Sequence, residues 1–165
     1  MSDVTSPAAG QTAGTVPTSP NAPSDLGEVT IVREFDAPRE LVFKAFVDPA
    51  QFVMFWGPTG THVPIETVVI EPWAGGRFES VMVADDGSGE YPTKATFVEV
   101  TEPEVFAFAE LELGITSTGT LTDLGGGRCR LVIHQTNVPP EYRTPEALAG
   151  FNTSLDRLAQ YLATL

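Results

Sequence analysis

Few side chains in this chain are equipped for chemistry near neutral pH. His62 and His134 are its only histidines and Cys129 its only cysteine. The three are far apart in sequence and show no metal-ligand spacing, so neither a metal site nor a cofactor is expected. Alternation along RCRLVIHQ puts His134 on the outer face with Arg128 and Arg130. His62 falls in a loop beside an aromatic cluster and reads as a solvated histidine. The run DDGSGE (85–90) opens like a calcium loop but lacks the alternating ligands and the closing glutamate, so it reads as a hairpin turn. The glycines at 75–76 and 125–127 have neither a following Lys-Ser/Thr nor dinucleotide spacing, which makes them turns too. No serine sits in a nucleophile elbow, and Cys129 reads as a small buried hydrophobe. No catalytic residue is assigned. Arg33 is the exception to this bland inventory, because alternation sets it among Val29, Ile31 and Phe35. A cation on an apolar face needs a partner or a ligand anion, unless it snorkels outward.

The residues suited to binding are apolar. FVDPAQFVMFWGPTG (46–60) concentrates four aromatic rings and a methionine in a stretch with a proline near each end. It is too short and too broken to anchor in a membrane. Its elements follow from local chemistry. EVTIVREF (28–35) alternates like a half-buried strand. Ala37-Pro38 opens a helix whose stripe is Val42, Ala45 and Phe46, and Asp48-Pro49 breaks it before a second short helix through Phe55. From Ile65 the period becomes two, with strands expected at 65–71, 76–84, 91–101, 104–111, 115–123 and 128–137. Thr144 and Pro145 then cap a long helix in which Leu148, Phe151, Leu155, Leu158, Leu162 and Leu165 recur at spacings of three and four. One apolar stripe of that length must lie on the sheet. The expected class is α+β, a curved antiparallel sheet of six to seven strands wrapped around the C-terminal helix, with two short helices after the first strand: a helix-grip arrangement.

Alternation also shows which side chains look at that helix. Phe78, Ser80 and Met82 face inward on one strand, Ile115, Ser117, Gly119 and Leu121 on another, and Cys129, Leu131, Ile133 and Gln135 on the last. Strand 104–111 is ambiguous, with Phe106 and Phe108 on one face and Val105, Ala107, Ala109 and Leu111 on the other. Small inward residues under a bulky helix leave a void, and an apolar void is where small ligands bind. The candidate ligand-binding residues are Phe55, Trp56, Phe78, Ser80, Met82, Ser117, Gln135, Phe151 and Leu155, with Arg33 as a possible anion partner. Phe55 and Trp56, where helix yields to loop, are placed at the mouth.

Composition narrows the partners. With nine basic and twenty-two acidic side chains the net charge is −13 over 165 residues, which repels nucleic acid and anionic membrane surfaces. No apolar run is long enough to span a bilayer, and the first residues lack the pattern of a signal peptide. A single cysteine suits a reducing compartment, so the expected location is the cytoplasm. Residues 1–27, fifteen of which are Pro, Gly, Ser or Thr and none aromatic, are expected to be a disordered tail before a domain at 28–165.

In order along the chain, REFDAPRELVFKAFVDP, FWGP, GGRF, VPPE and GFNTSLDRLAQYL resemble single-domain bacterial proteins similar to the C-terminal domain of the activator of heat-shock protein 90 ATPase. These belong to the START-like, helix-grip (SRPBCC) superfamily. The resemblance runs from about Glu28 to Leu165. Where the family usually shows two tryptophans before Gly-Pro, this chain has Phe55-Trp56; where it shows Gly-Trp in the last helix, this chain has Gly150-Phe151. The resemblance implies a deep hydrophobic cavity of the kind superfamily members use for lipids, sterols, aromatic polyketides or hormones, with cyclisation catalysed there in a minority. A binding protein for a lipid-like or polyketide-like ligand is the first reading. A cyclase or aromatase-type enzyme is the second, and a chaperone-interacting module the third.

Overall fold

The computed structural model describes residues 25–165. The chain opens with β1 (Gly27–Phe35), followed by α1 (Arg39–Val47) and α2 (Pro49–Phe52). Two very short strands, β2 (Thr61–His62) and β3 (Val69–Ile70), flank a single 3-10 turn at Ile65–Thr67. The long strands are β4 (Arg77–Ala84), β5 (Glu90–Thr101), β6 (Val105–Glu110), β7 (Thr116–Gly125) and β8 (Arg128–Val138). A 3-10 turn at Pro140–Tyr142 leads into α3 (Pro145–Leu162). All strands join one antiparallel sheet in the order β1-β8-β7-β6-β5-β4-β2, with β3 also on β4. The expected helix-grip architecture is therefore observed, with eight strands among the described residues rather than six or seven. The tail expected at 1–27 lies largely outside the described residues; within it, Gly27 already pairs with Val138.

Two expectations of local structure change. The segment 65–71 is not a continuous strand, because Thr67 Oγ1 bonds back to the Pro64 carbonyl and the backbone turns before pairing for only two residues. The second helix ends at Phe52, and turns carry the chain on to Phe55. Asp48 caps that helix, its carboxylate accepting from the Ala50 amide at 3.2 Å.

The core lies where α1 and the C-terminal half of α3 meet the sheet. Val42, Phe43, Ala45 and Phe46 of α1 are buried, as are Leu155, Leu158 and Leu162 of α3. Each of the larger of these side chains contributes about 1.5–3 kcal/mol by leaving water. Leu148 and Phe151, nearer the start of α3, are only partly buried, and Leu165 beyond its end is exposed. The stripe read from sequence is thus one face with two environments. Its C-terminal half meets dense core, and its N-terminal half roofs a void.

Candidate functional site

The void is a cavity of about 400 Å³ between the sheet and the first half of α3. Its floor is built from cross-strand rows on β6, β7 and β8. Phe108, Ser117 and Gln135 stand side by side in one row, and Phe106, Gly119 and Ile133 in the next. Small residues on β7 keep the centre of the floor low while the β6 rings rise beside it. Gly119 is required by this arrangement, since a Cβ there would lie 2.4 Å from Phe106 Cζ. Phe106 in turn stacks on Phe46 at 4.6 Å and meets Phe43 edge-on at 5.9 Å. Ala147 and Phe151 of α3 form the roof.

A smaller void of about 100 Å³ lies alongside, lined by Phe55, Gly57, Pro58, Ser154 and Leu155. Phe46, Trp56, Met82 and Phe151 line both spaces and form the partition between them. Trp56 is held there by stacking on Phe52 at 4.7 Å and by edge contacts with Phe46, Phe55 and Phe78. The loop that carries it is fastened to α3 by a dense set of hydrogen bonds. Ser154 Oγ donates to the Phe55 carbonyl at 2.9 Å and accepts from the Gly57 amide at 3.2 Å. Arg157 Nη1 donates to the carbonyls of Gly57, Pro58 and Thr61 at 2.9, 3.3 and 3.2 Å. Gly57 has φ +100°, where a Cβ would also strike Thr61 Oγ1 at 2.5 Å, so glycine alone suits the turn.

The sequence candidates distribute unevenly over this geometry. Trp56, Met82, Ser117, Gln135 and Phe151 line the main cavity, and Phe55 and Leu155 the smaller one. Phe78 and Ser80 face inward but are buried beside the cavity; Phe78 packs on Phe97 and Phe108. Arg33 stays outside both spaces. It pairs with Asp156 and donates to the Asn152 carbonyl at 3.4 Å, tying β1 to α3. The mouth also differs from the one read from sequence. Phe55 is fully buried and Trp56 half-buried, whereas Tyr91, Pro92, Leu113 and Tyr142 are the lining residues that stand exposed. His62 and His134 are surface residues paired with Asp85 at 2.6 Å and Glu28 at 2.8 Å. Cys129 is buried, and burial pushes its thiol up, with Asp123 and Glu40 adding to the effect.

The polar groups in the cavity are few. Gln135 Nε2 donates to Ser117 Oγ at 3.0 Å, which leaves the amide oxygen of Gln135 free to accept. Glu110, at the end of β6, also lines the cavity, and burial raises its carboxyl above the ordinary value. No ion pair to Glu110 exists among the described residues. Sequence reading missed this residue because strand 104–111 offered apolar groups on both faces. Once Phe106 and Phe108 are known to point in, period two carries Glu110 in with them. No group of three or more potential metal ligands occurs among the described residues.

Comparison with known proteins agrees with this architecture. A structure from Chromobacterium violaceum is 22% identical and superposes with a TM-score of 0.75, covering 81% of this chain and 96% of the other. The AHSA1-like protein from Aeromonas hydrophila matches with 21% identity, a TM-score of 0.72 and coverage of 84% and 93%. The AHSA1 protein from Silicibacter pomeroyi matches with 24% identity, a TM-score of 0.71 and coverage of 84% and 99%. At these identities the likeness is one of fold. No curated protein matches the chain significantly. The family model for Activator of Hsp90 ATPase homolog 1-like protein matches residues 36–163. That span runs from the end of β1 through α3, and the chain therefore belongs to this family, within the START-like helix-grip superfamily.

Proposed function

We propose that this protein binds a small hydrophobic or aromatic molecule in the cavity beneath α3. The observation that carries the reading is the cavity itself: about 400 Å³, walled by aromatic and aliphatic side chains and opening between Tyr91, Leu113 and Tyr142. That volume lies within the range of about 300–1,000 Å³ usual for small-molecule sites. A packed interior of this size would have closed such a space, so its persistence argues for an occupant. The net charge of −13 and the buried thiol of Cys129 support a cytoplasmic protein that avoids nucleic acid. No helix among the described residues is long and apolar enough to cross a membrane.

Glu110 favours a second reading, an enzyme of cyclase or aromatase type, since a carboxyl raised by burial can exchange protons with a bound substrate. It ranks second because the cavity supplies no cationic or histidine partner among the described residues. A chaperone-interacting module ranks third, because the cavity inside the molecule lends it no support. Titration with Nile red, a neutral environment-sensitive dye, together with native mass spectrometry of the purified protein tests the binding reading. One equivalent of dye, or a co-purified small molecule that the dye displaces, is expected. Absence of both would overturn it.

A further inference from the structure

The charge pattern of the cavity says more about the ligand than its volume does. Among the described residues no arginine, lysine or histidine lines it, while Glu110 brings a carboxylate to its wall. A bound anion would meet no counter-charge there and would lie against a like charge. Two of the polar groups can accept from a donor: Glu110 offers carboxylate oxygens, and the amide oxygen of Gln135 stays free when an N–H of that amide is given to Ser117. Aromatic faces complete the lining, with Tyr91 and Tyr142 near the mouth and Trp56 deeper in. Rings of this kind attract cations through their quadrupoles. Carboxylate, free acceptor and aromatic walls are together complementary to an ammonium group on an apolar body.

Resting on the binding reading above, we propose that the cavity selects aromatic or apolar amines, with the protonated amine of the ligand paired to Glu110. The apolar body lies over Phe106, Phe108 and Ile133, and the ammonium donates to the Glu110 carboxylate. A carboxylic acid of the same shape is rejected. The acidic surface works in the same direction by concentrating cations near the mouth.

The test uses three probes of one shape, naphthylmethylamine, naphthylmethanol and naphthoate, titrated calorimetrically into the wild type and Glu110→Gln at neutral pH. The amine should bind the wild type at least tenfold more tightly than the alcohol, and naphthoate should bind weakest. In Glu110→Gln the preference for the amine should fall to about twofold or less, with binding of the alcohol retained. Repeating the titrations at high salt separates the two sources of attraction, since screening removes steering by the surface but not a paired charge inside. Equal binding of amine and alcohol by the wild type, or a preference that survives Glu110→Gln, would overturn the amine assignment while leaving the cavity reading intact. If none of the three probes binds a folded wild type, the cavity reading falls and the amine assignment with it.

Discussion

Gly119 has an ordinary backbone conformation, so its identity is explained by its neighbour rather than by its φ: the Phe106 ring occupies the space a Cβ would need. Because Phe106 is itself held by Phe46 and Phe43, it cannot retreat without cost. Gly119→Ala should therefore lower stability by about 1–3 kcal/mol, the usual cost of overpacking, and weaken Nile red binding as the ring tilts into the cavity. Wild-type denaturation and wild-type binding in this variant would contradict the geometry. Trp56 and Leu158 form a contrasting pair. Leu158 is fully buried in dense core away from the cavity, so Leu158→Ala should cost about 2–5 kcal/mol with little effect on the dye. Trp56 borders two voids and already lacks partners on those sides, so Trp56→Ala should cost only about 2 kcal/mol. It should nevertheless change dye affinity more than Leu158→Ala does, because removing the indole opens the partition. Chemical denaturation and dye titration of both variants check the reversal of rank.

Among the elements, α3 carries two duties at once. Leu155 is buried in its centre, and Leu155→Asp should leave no soluble folded protein, since an unpaired buried charge costs several kcal/mol, much of an ordinary domain's stability. Arg157, two residues further on, acts through the loop instead. Its guanidinium serves three carbonyls, that of Pro58 accepting from Thr61 as well, so Arg157→Ala should cost about 1–3 kcal/mol and speed amide exchange at residues 57–61. Unchanged exchange there would show that the loop is held by other means. Much of this was readable from the sequence. Alternation gave the inward faces of β4, β7 and β8, and the spacing of three and four gave α3. What stayed hidden depended on contacts between elements. Strand β6 is apolar on both sides, so its orientation, and with it Glu110, is decided by the α1 rings that meet Phe106. In β5 an extra residue, Val98, interrupts the register between Phe97 and Glu99 and reverses the alternation beyond it. Arg33 was read correctly as lying among apolar neighbours, but its partner Asp156 is more than a hundred residues away.

For the molecule as a whole, stability should depend on pH through carboxylates that pull in opposite directions. Glu34, held down by hydrogen bonds from Arg130 and then Arg128, and Glu79, held down by Arg77, favour the fold as pH rises. Glu110 does the reverse: burial raises its folded-state value, so its stabilising contribution is full below the ordinary carboxylate value of about 4.3 and is lost as pH climbs through the raised value. Wild type and Glu110→Gln share the first effect and differ in the second. Urea denaturation from about pH 4 to neutrality should show the variant gaining on the wild type as pH rises; parallel curves would mean that the carboxyl is well solvated. The partition between the two voids has an optical consequence as well. The chain has two tryptophans, Trp56 in that wall and Trp73, 59% exposed, on the surface. Its intrinsic emission therefore mixes a bluer fluorophore that faces the cavity with a redder one that faces water. An occupant beneath α3 would alter the first and spare the second, so the unlabelled protein reports its own filling as a change in spectral shape.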